Sequence, residues 1–224
     1  MGPTIGEMLP LAIGIAISPV PIIAIILMLI TPKARDNGLA FLGGWALGLA
    51  VVGAVVLIVA DTTDVATSSG PSRAVGALKL VLGLLLLVLA WRQFAKRPKA
   101  GEEAPLPKWM RALDSFTPGR AIAVGALLSG VNPKNLILCA TAAAGIAQSG
   151  LGGFQQAVVL LVLVVVGSVG LIIPVGVYFA MGDKAPRMLE GWKTWLAANN
   201  ATVMTVLFVV FGVSLIGKGI GGLS

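Results

Sequence analysis

Six apolar stretches, each about as long as a bilayer is thick, constrain this chain more than any other feature. A membrane-spanning helix needs about 20 predominantly apolar residues. Stretches of that size run over Ile5–Ile30, Leu39–Ala60, Arg73–Trp91, Gly119–Ile146, Gln155–Met181 and Thr202–Ile220. Unbroken runs such as Leu80–Ala90 and Ala157–Val166 lack the two-residue alternation of barrel strands, so the spans read as helices. The composition agrees. Hydrophobic residues make up 57% of the 224 and charged residues only 11%, too few charges to cover a soluble surface. The N-terminus has no basic region before its apolar run, and that run continues for a full bilayer thickness, so it reads as a retained span.

The missing residue types exclude several chemistries. With no histidine and a single cysteine, Cys139, the chain has no disulfide, no paired-cysteine redox motif, no His/Cys metal site and no Ser–His–Asp triad. It has no phosphate-binding Walker loop either. The expectation is therefore no enzyme, no cofactor and no metal. The net charge of +7 points to the membrane surface rather than to nucleic acid, because the basic residues lie between apolar runs.

Twelve of the sixteen Lys and Arg residues fall in the first, third and fifth loops, and Arg73 and Lys218 alone fall on the other side. By the positive-inside rule the odd loops are cytoplasmic and both termini face outward. Two cytoplasmic segments have apolar residues at helical spacing beside basic ones: Trp109, Leu113 and Phe116, then Leu189, Trp192 and Leu196 with Trp195. Both are expected to form short interfacial helices. The charged, proline-rich stretch 96–117 reads as a basic linker between residues 1–95 and 118–224.

Shifting the chain by 111 residues lays Leu11–Pro21 over Ile122–Asn132, with Ala, Gly, Ser and Val recurring at matching places. Each block opens a set of three spans. Three is odd, so the second set must be inverted relative to the first, which is the architecture of many secondary transporters. The fold class is thus an all-α membrane protein of six helices in two inverted three-helix repeats.

The same region breaks the helix in both halves. Pro19 and Pro21 follow Ser18 in the first span; Ser129, Asn132, Pro133, Lys134 and Asn135 interrupt the fourth. Proline removes an amide donor and clashes one turn back. In hydrocarbon, broken backbone survives only against protein or a hydrated cavity, so the two breaks near mid-span mark a candidate substrate site. Lys134 lies roughly 20 Å from either end of its span, too deep to snorkel. Its amine must meet a polar cavity or an anion, or be neutral, and no carboxylate lies at that depth. A substrate anion is the preferred partner, with carbonyls freed by the breaks as the alternative. Lys79 is roughly 12 Å from a span end and can snorkel, though it is also a candidate pathway residue. Gly44 and Gly48 form a small-residue stripe for helix packing within the chain or for a dimer seam.

The Pro-bearing first span, Asn132-Pro133-Lys134-Asn135, Thr117-Pro118-Gly119 and Asn199-Asn200-Ala201-Thr202 resemble the GAP/Sap proteins. These are the glycolipid- and sulfolipid-addressing proteins of the lysine-exporter (LysE) superfamily. The resemblance implies a bacterial plasma-membrane protein, homodimeric, that moves envelope glycolipids toward the cell surface. The superfamily's redox branch has cysteine pairs in the first and fourth spans. This chain lacks them, so electron transfer does not carry over. The resulting expectation is an exporter or flippase for an amphiphilic, anionic envelope lipid or lipid-linked precursor. The alternatives are a small-solute exporter of amino-acid type and a non-transporting scaffold for envelope lipid assembly. Cation export fits least, because a buried positive charge repels like charges.

Overall fold

The structure, a computed structural model, describes residues 1–62, 73–95, 97 and 116–223. Among them every regular element is helical: α1 (Gly2–Ala16), α2 (Pro19–Leu29), α3 (Ala34–Thr62), α4 (Arg73–Ala95), α5 (Pro118–Gly130), α6 (Pro133–Ala147), α7 (Gly153–Met181) and α8 (Ala185–Gly221), with a short 3-10 turn at Gly182–Lys184. Among the described residues three stretches are long and apolar enough to cross a membrane: Ala34–Ala60, Gly76–Ala95 and the combined Gly153–Gly221. That number rises to five if α1 with α2, and α5 with α6, each count as one bent span. Large apolar side chains such as Ile58, Val81, Leu161 and Val213 cover the exterior, as lipid-facing surface requires. This is a multi-pass membrane protein.

Both breaks read from the prolines are present. The chain bends by 55° between α1 and α2 and by 66° between α5 and α6. Each second helix restarts the same way, on an extended residue (Ser18 or Asn132) followed by proline in the first turn. Proline suits that position, since the first-turn amides have no intrahelical partner. The restarts therefore pair Pro19 with Pro133, three residues beyond the register that sequence identity suggests.

Close glycine contacts set the packing. A Cβ on Gly44 would land on the Ile122 carbonyl, and one on Gly48 would strike Ser129 and Ala126. The stripe is thus occupied by α5 within the chain. The contacts advance together, 44 with 122 and 48 with 126, so α3 and α5 run parallel. Along the α4–α8 seam, Gly83 faces Gly212 and Gly76 faces Gly219, with built Cβ distances of 2.8–3.1 Å to the opposing carbonyls. One number rises as the other falls, so this pair is antiparallel. Helix α3 packs on α5 and α6, while α7 packs on α1 and α2. Each half therefore lays its unbroken second helix against the broken pair of the other. Phe41 and Trp45, both fully buried, fill the junction, and the Trp45 indole donates to the Gly167 carbonyl at 3.3 Å.

One expectation needs correcting. Leu189, Trp192, Trp195 and Leu196 do not form a separate interfacial helix. They belong to the first turns of α8, which runs unbroken for 37 residues. No glycine or proline separates Leu196 from Thr202, and an i,i+3 Lys193–Glu190 ion pair reinforces this stretch. At 1.5 Å per residue α8 is about 55 Å long, more than the roughly 30 Å hydrocarbon core. Trp109 and Leu113, with most of the 96–117 linker, lie outside the described residues. Phe116 is buried, and its carbonyl accepts from Asn37 Nδ2 at 3.0 Å, which anchors α3 beside the start of α5.

Candidate functional site

The first break can be accounted for one carbonyl at a time. A continuous helix would pair Gly14 O with the Ser18 amide, Ile15 O with residue 19 and Ile17 O with residue 21. The Ser18 amide turns instead to Ala16 O at 3.0 Å, and Pro19 and Pro21 have no amide hydrogen. Three carbonyls are left over. Ser18 Oγ, 2.7 Å away, donates to Ile15 O. Lys134 Nζ takes the other two, Gly14 O at 2.6 Å and Ile17 O at 2.8 Å, and also donates to Ser18 Oγ at 2.7 Å. Three acceptors match the three N–H bonds of an ammonium group.

Lys134 is 1% exposed. It occupies the first turn of α6, where Asn132 Oδ1 caps its backbone amide at 3.1 Å. Asn135, fully buried, donates from Nδ2 to Leu128 O at 3.1 Å, replacing a helical bond lost at the second break. Its Oδ1 lies 3.2 Å from Ser18 Oγ. The second break thus supplies its own partners and, through Lys134, those of two of the three carbonyls freed at the first. Of the two partners open to Lys134 on sequence grounds, the amine here holds the freed carbonyls.

Ser18, Pro19, Pro21, Asn132 and Lys134 line one small cavity of about 110 Å³, with Gln93 of α4 and Asn200 of α8. Pro133 opens α6 behind it. Ser129 stands apart: its hydroxyl donates to Ala126 O at 3.1 Å, and the residue packs on Gly48 of α3. The cause is the three-residue offset between the breaks, which places Asn132, rather than Ser129, opposite Ser18. Lys79 lies elsewhere, in a larger vestibule of about 360 Å³ with Glu7, Leu11, Thr141 and Lys218.

The two cavities lie on opposite sides of the Lys134 contacts. Along α1 and α2, Leu11 lines the vestibule and Ser18 the smaller cavity, with Gly14 and Ile17 between them. Along α6, Thr141 lines one and Lys134 the other. A third, almost wholly apolar groove of about 290 Å³ runs beside α2, between Ile22, Gly170, Pro174, Trp192 and Trp195.

Sequence reasoning missed Gln93 and Asn200. Asn200 was visible only as part of a family-like motif, yet its Oδ1 is buried without a partner. A polar residue at the end of a span was the available signal.

Two discontinuous helices clasped through a buried lysine, inside an apolar exterior, define a polytopic helical membrane protein with a polar interior junction. Over residues 8–221 the chain matches the family described as Sap, sulfolipid-1-addressing protein, and it belongs to that family. Comparison with curated proteins and with solved structures gives no match.

Proposed function

We propose that this protein exports or flips an amphiphilic, anionic envelope lipid across a bacterial plasma membrane by alternating access. Membership in a lipid-addressing family supports a role in lipid addressing or export. The proposed frame is six spans in two inverted three-helix repeats, with both termini outside. The parallel α3–α5 and antiparallel α4–α8 pairings are those such a frame requires, and the reciprocal packing of α3 and α7 favours two related halves.

One observation carries the mechanism: Lys134 ties the second half to the unwound backbone of the first, between two cavities. It acts as a latch. Closed, it separates the vestibule from the smaller cavity; open, it presents an amine to an anionic headgroup. The apolar groove beside α2 gives acyl or prenyl chains a place next to the headgroup site, and this favours a lipid over a small soluble metabolite.

The test is flipping of a labelled anionic lipid in proteoliposomes, wild type against Lys134→Ala. Loss of hydrogen bonds to a charged group, at about 1.5 kcal/mol or more, corresponds to at least about tenfold slower flipping. Unchanged flipping removes Lys134 from the mechanism. Uptake of a soluble amino acid with no lipid movement favours the small-solute exporter.

A further inference from the structure

The vestibule takes no part in the latch, yet it gathers charge from three helices, Glu7 on α1, Lys79 on α4 and Lys218 on α8, with the hydroxyl-bearing Thr141 on α6. Lys79 lies within electrostatic reach of both Lys218 and Glu7. Among the described residues neither ammonium has a carboxylate within 4.0 Å. Among the described residues, two cations therefore share this cavity with one acid and pair with no carboxylate. Thr141 adds an independent sign of a ligand. It is 7% exposed, lines the cavity, and its Oγ1 has no hydrogen-bond partner. A buried hydroxyl without a partner is destabilising unless something else satisfies it.

We infer that this vestibule is a second binding site, for a tetrahedral or planar oxyanion, held by Lys79 and Lys218 and by the Thr141 hydroxyl. The cavity, at 360 Å³, falls within the range of small-ligand pockets, about 300–1,000 Å³. A lone sulfate or phosphate fits, and so does such a group carried on a lipid. Glu7 disfavours a second negative charge, so a monoanion suits the site best. The site's role as a station on the far side of the latch rests on the transport reading; its binding of anions does not.

The test uses the full chain in phosphatidylcholine nanodiscs with short-chain fluorescent phosphatidic acid as probe and the matching diacylglycerol as neutral control. Lys79→Gln with Lys218→Gln weakens phosphatidate binding by about tenfold or more, and Lys79→Arg retains it. Glu7→Gln strengthens binding, because it removes a repelling charge; damage to the fold cannot produce that sign. Raising the salt weakens binding to wild type more than to the double variant. Competition by inorganic sulfate identifies a free oxyanion as a ligand, and its failure to compete identifies the lipid-borne group; either result upholds the anion site. Equal binding of diacylglycerol and phosphatidate, or a double variant that binds like wild type, overturns it. Binding is read without transport, so failure here leaves the flipping result standing, and a protein that flips nothing can still pass.

Discussion

Replacing Lys134 with methionine keeps much of the side-chain bulk and removes every donor. Gly14 O and Ile17 O, now 2.6 and 2.8 Å from the amine, lose their partner. Ser18 Oγ keeps its bond to Ile15 O at 2.7 Å. An orphaned buried carbonyl costs about 1–3 kcal/mol. The Gly14 bond is buried and the Ile17 bond only partly so; Ile17 O can draw water from the adjoining cavity, and Gly14 O cannot. The pair therefore costs about 2–3 kcal/mol, most of it from Gly14 O, and part of this is returned because methionine needs no desolvated amine. The expected net loss is about 2 kcal/mol, a large share of the roughly 5–15 kcal/mol that holds a typical fold together. Reversible unfolding in mixed detergent micelles measures it. Lys134→Gln, which retains two amide donors, should fall between wild type and methionine. A cycle with Ser18→Ala should show coupling of about 0.5 kcal/mol or more. A methionine variant as stable as wild type, with no coupling to Ser18, would refute the claim that the lysine satisfies the broken backbone.

Gly44→Val should destabilise the fold by about 1–3 kcal/mol or prevent folding, because its Cβ meets the Ile122 backbone, whereas Gly176→Ala, with nothing within 4 Å, should be tolerated; thermal unfolding followed by size exclusion compares the two. Cys139 is fully buried and points at Leu49 O, 3.5 Å away, so its maleimide labelling in native micelles should be at least about a hundredfold slower than in unfolded chain. Rapid stoichiometric labelling of the native protein would contradict the α3–α6 packing.

The apolar helices and the two breaks were legible because they depend on local chemistry: apolar length, and prolines without amide hydrogens. What depends on pairing across the chain was not. Ser129 aligns with Ser18 by identity, but a helix restart is defined by an extended residue and a following proline, which aligns Asn132 with Ser18 instead. Gly76, Gly83, Gly212 and Gly219 are spaced by seven, yet nothing local says that the first pair faces the second. Lys134 stood out as too deep to snorkel, but two of its three partners are main-chain oxygens, which look alike in any sequence. Choosing Gly14 O and Ile17 O requires knowing both that Pro21 frees one and that the Ser18 amide abandons the other.

The inequality between the two breaks bears on the proposed mechanism. Asn132 and Asn135 repair the second break from within its own half. The first break has only Ser18 and borrows the Lys134 amine from the other half. Separating the halves would therefore strand two carbonyls and one amine together, at about 1–3 kcal/mol for each unpartnered group. Water entering from either cavity can satisfy the carbonyls, but an amine leaving three close oxygens is best matched by an anion. On that account the junction opens readily only when a wet cavity and a negatively charged headgroup are both at hand, so cargo and gate are coupled through one side chain. A neutral amphiphile of the same size leaves the amine unmatched, and the proposed latch should discriminate against it even where the apolar groove accepts its chains.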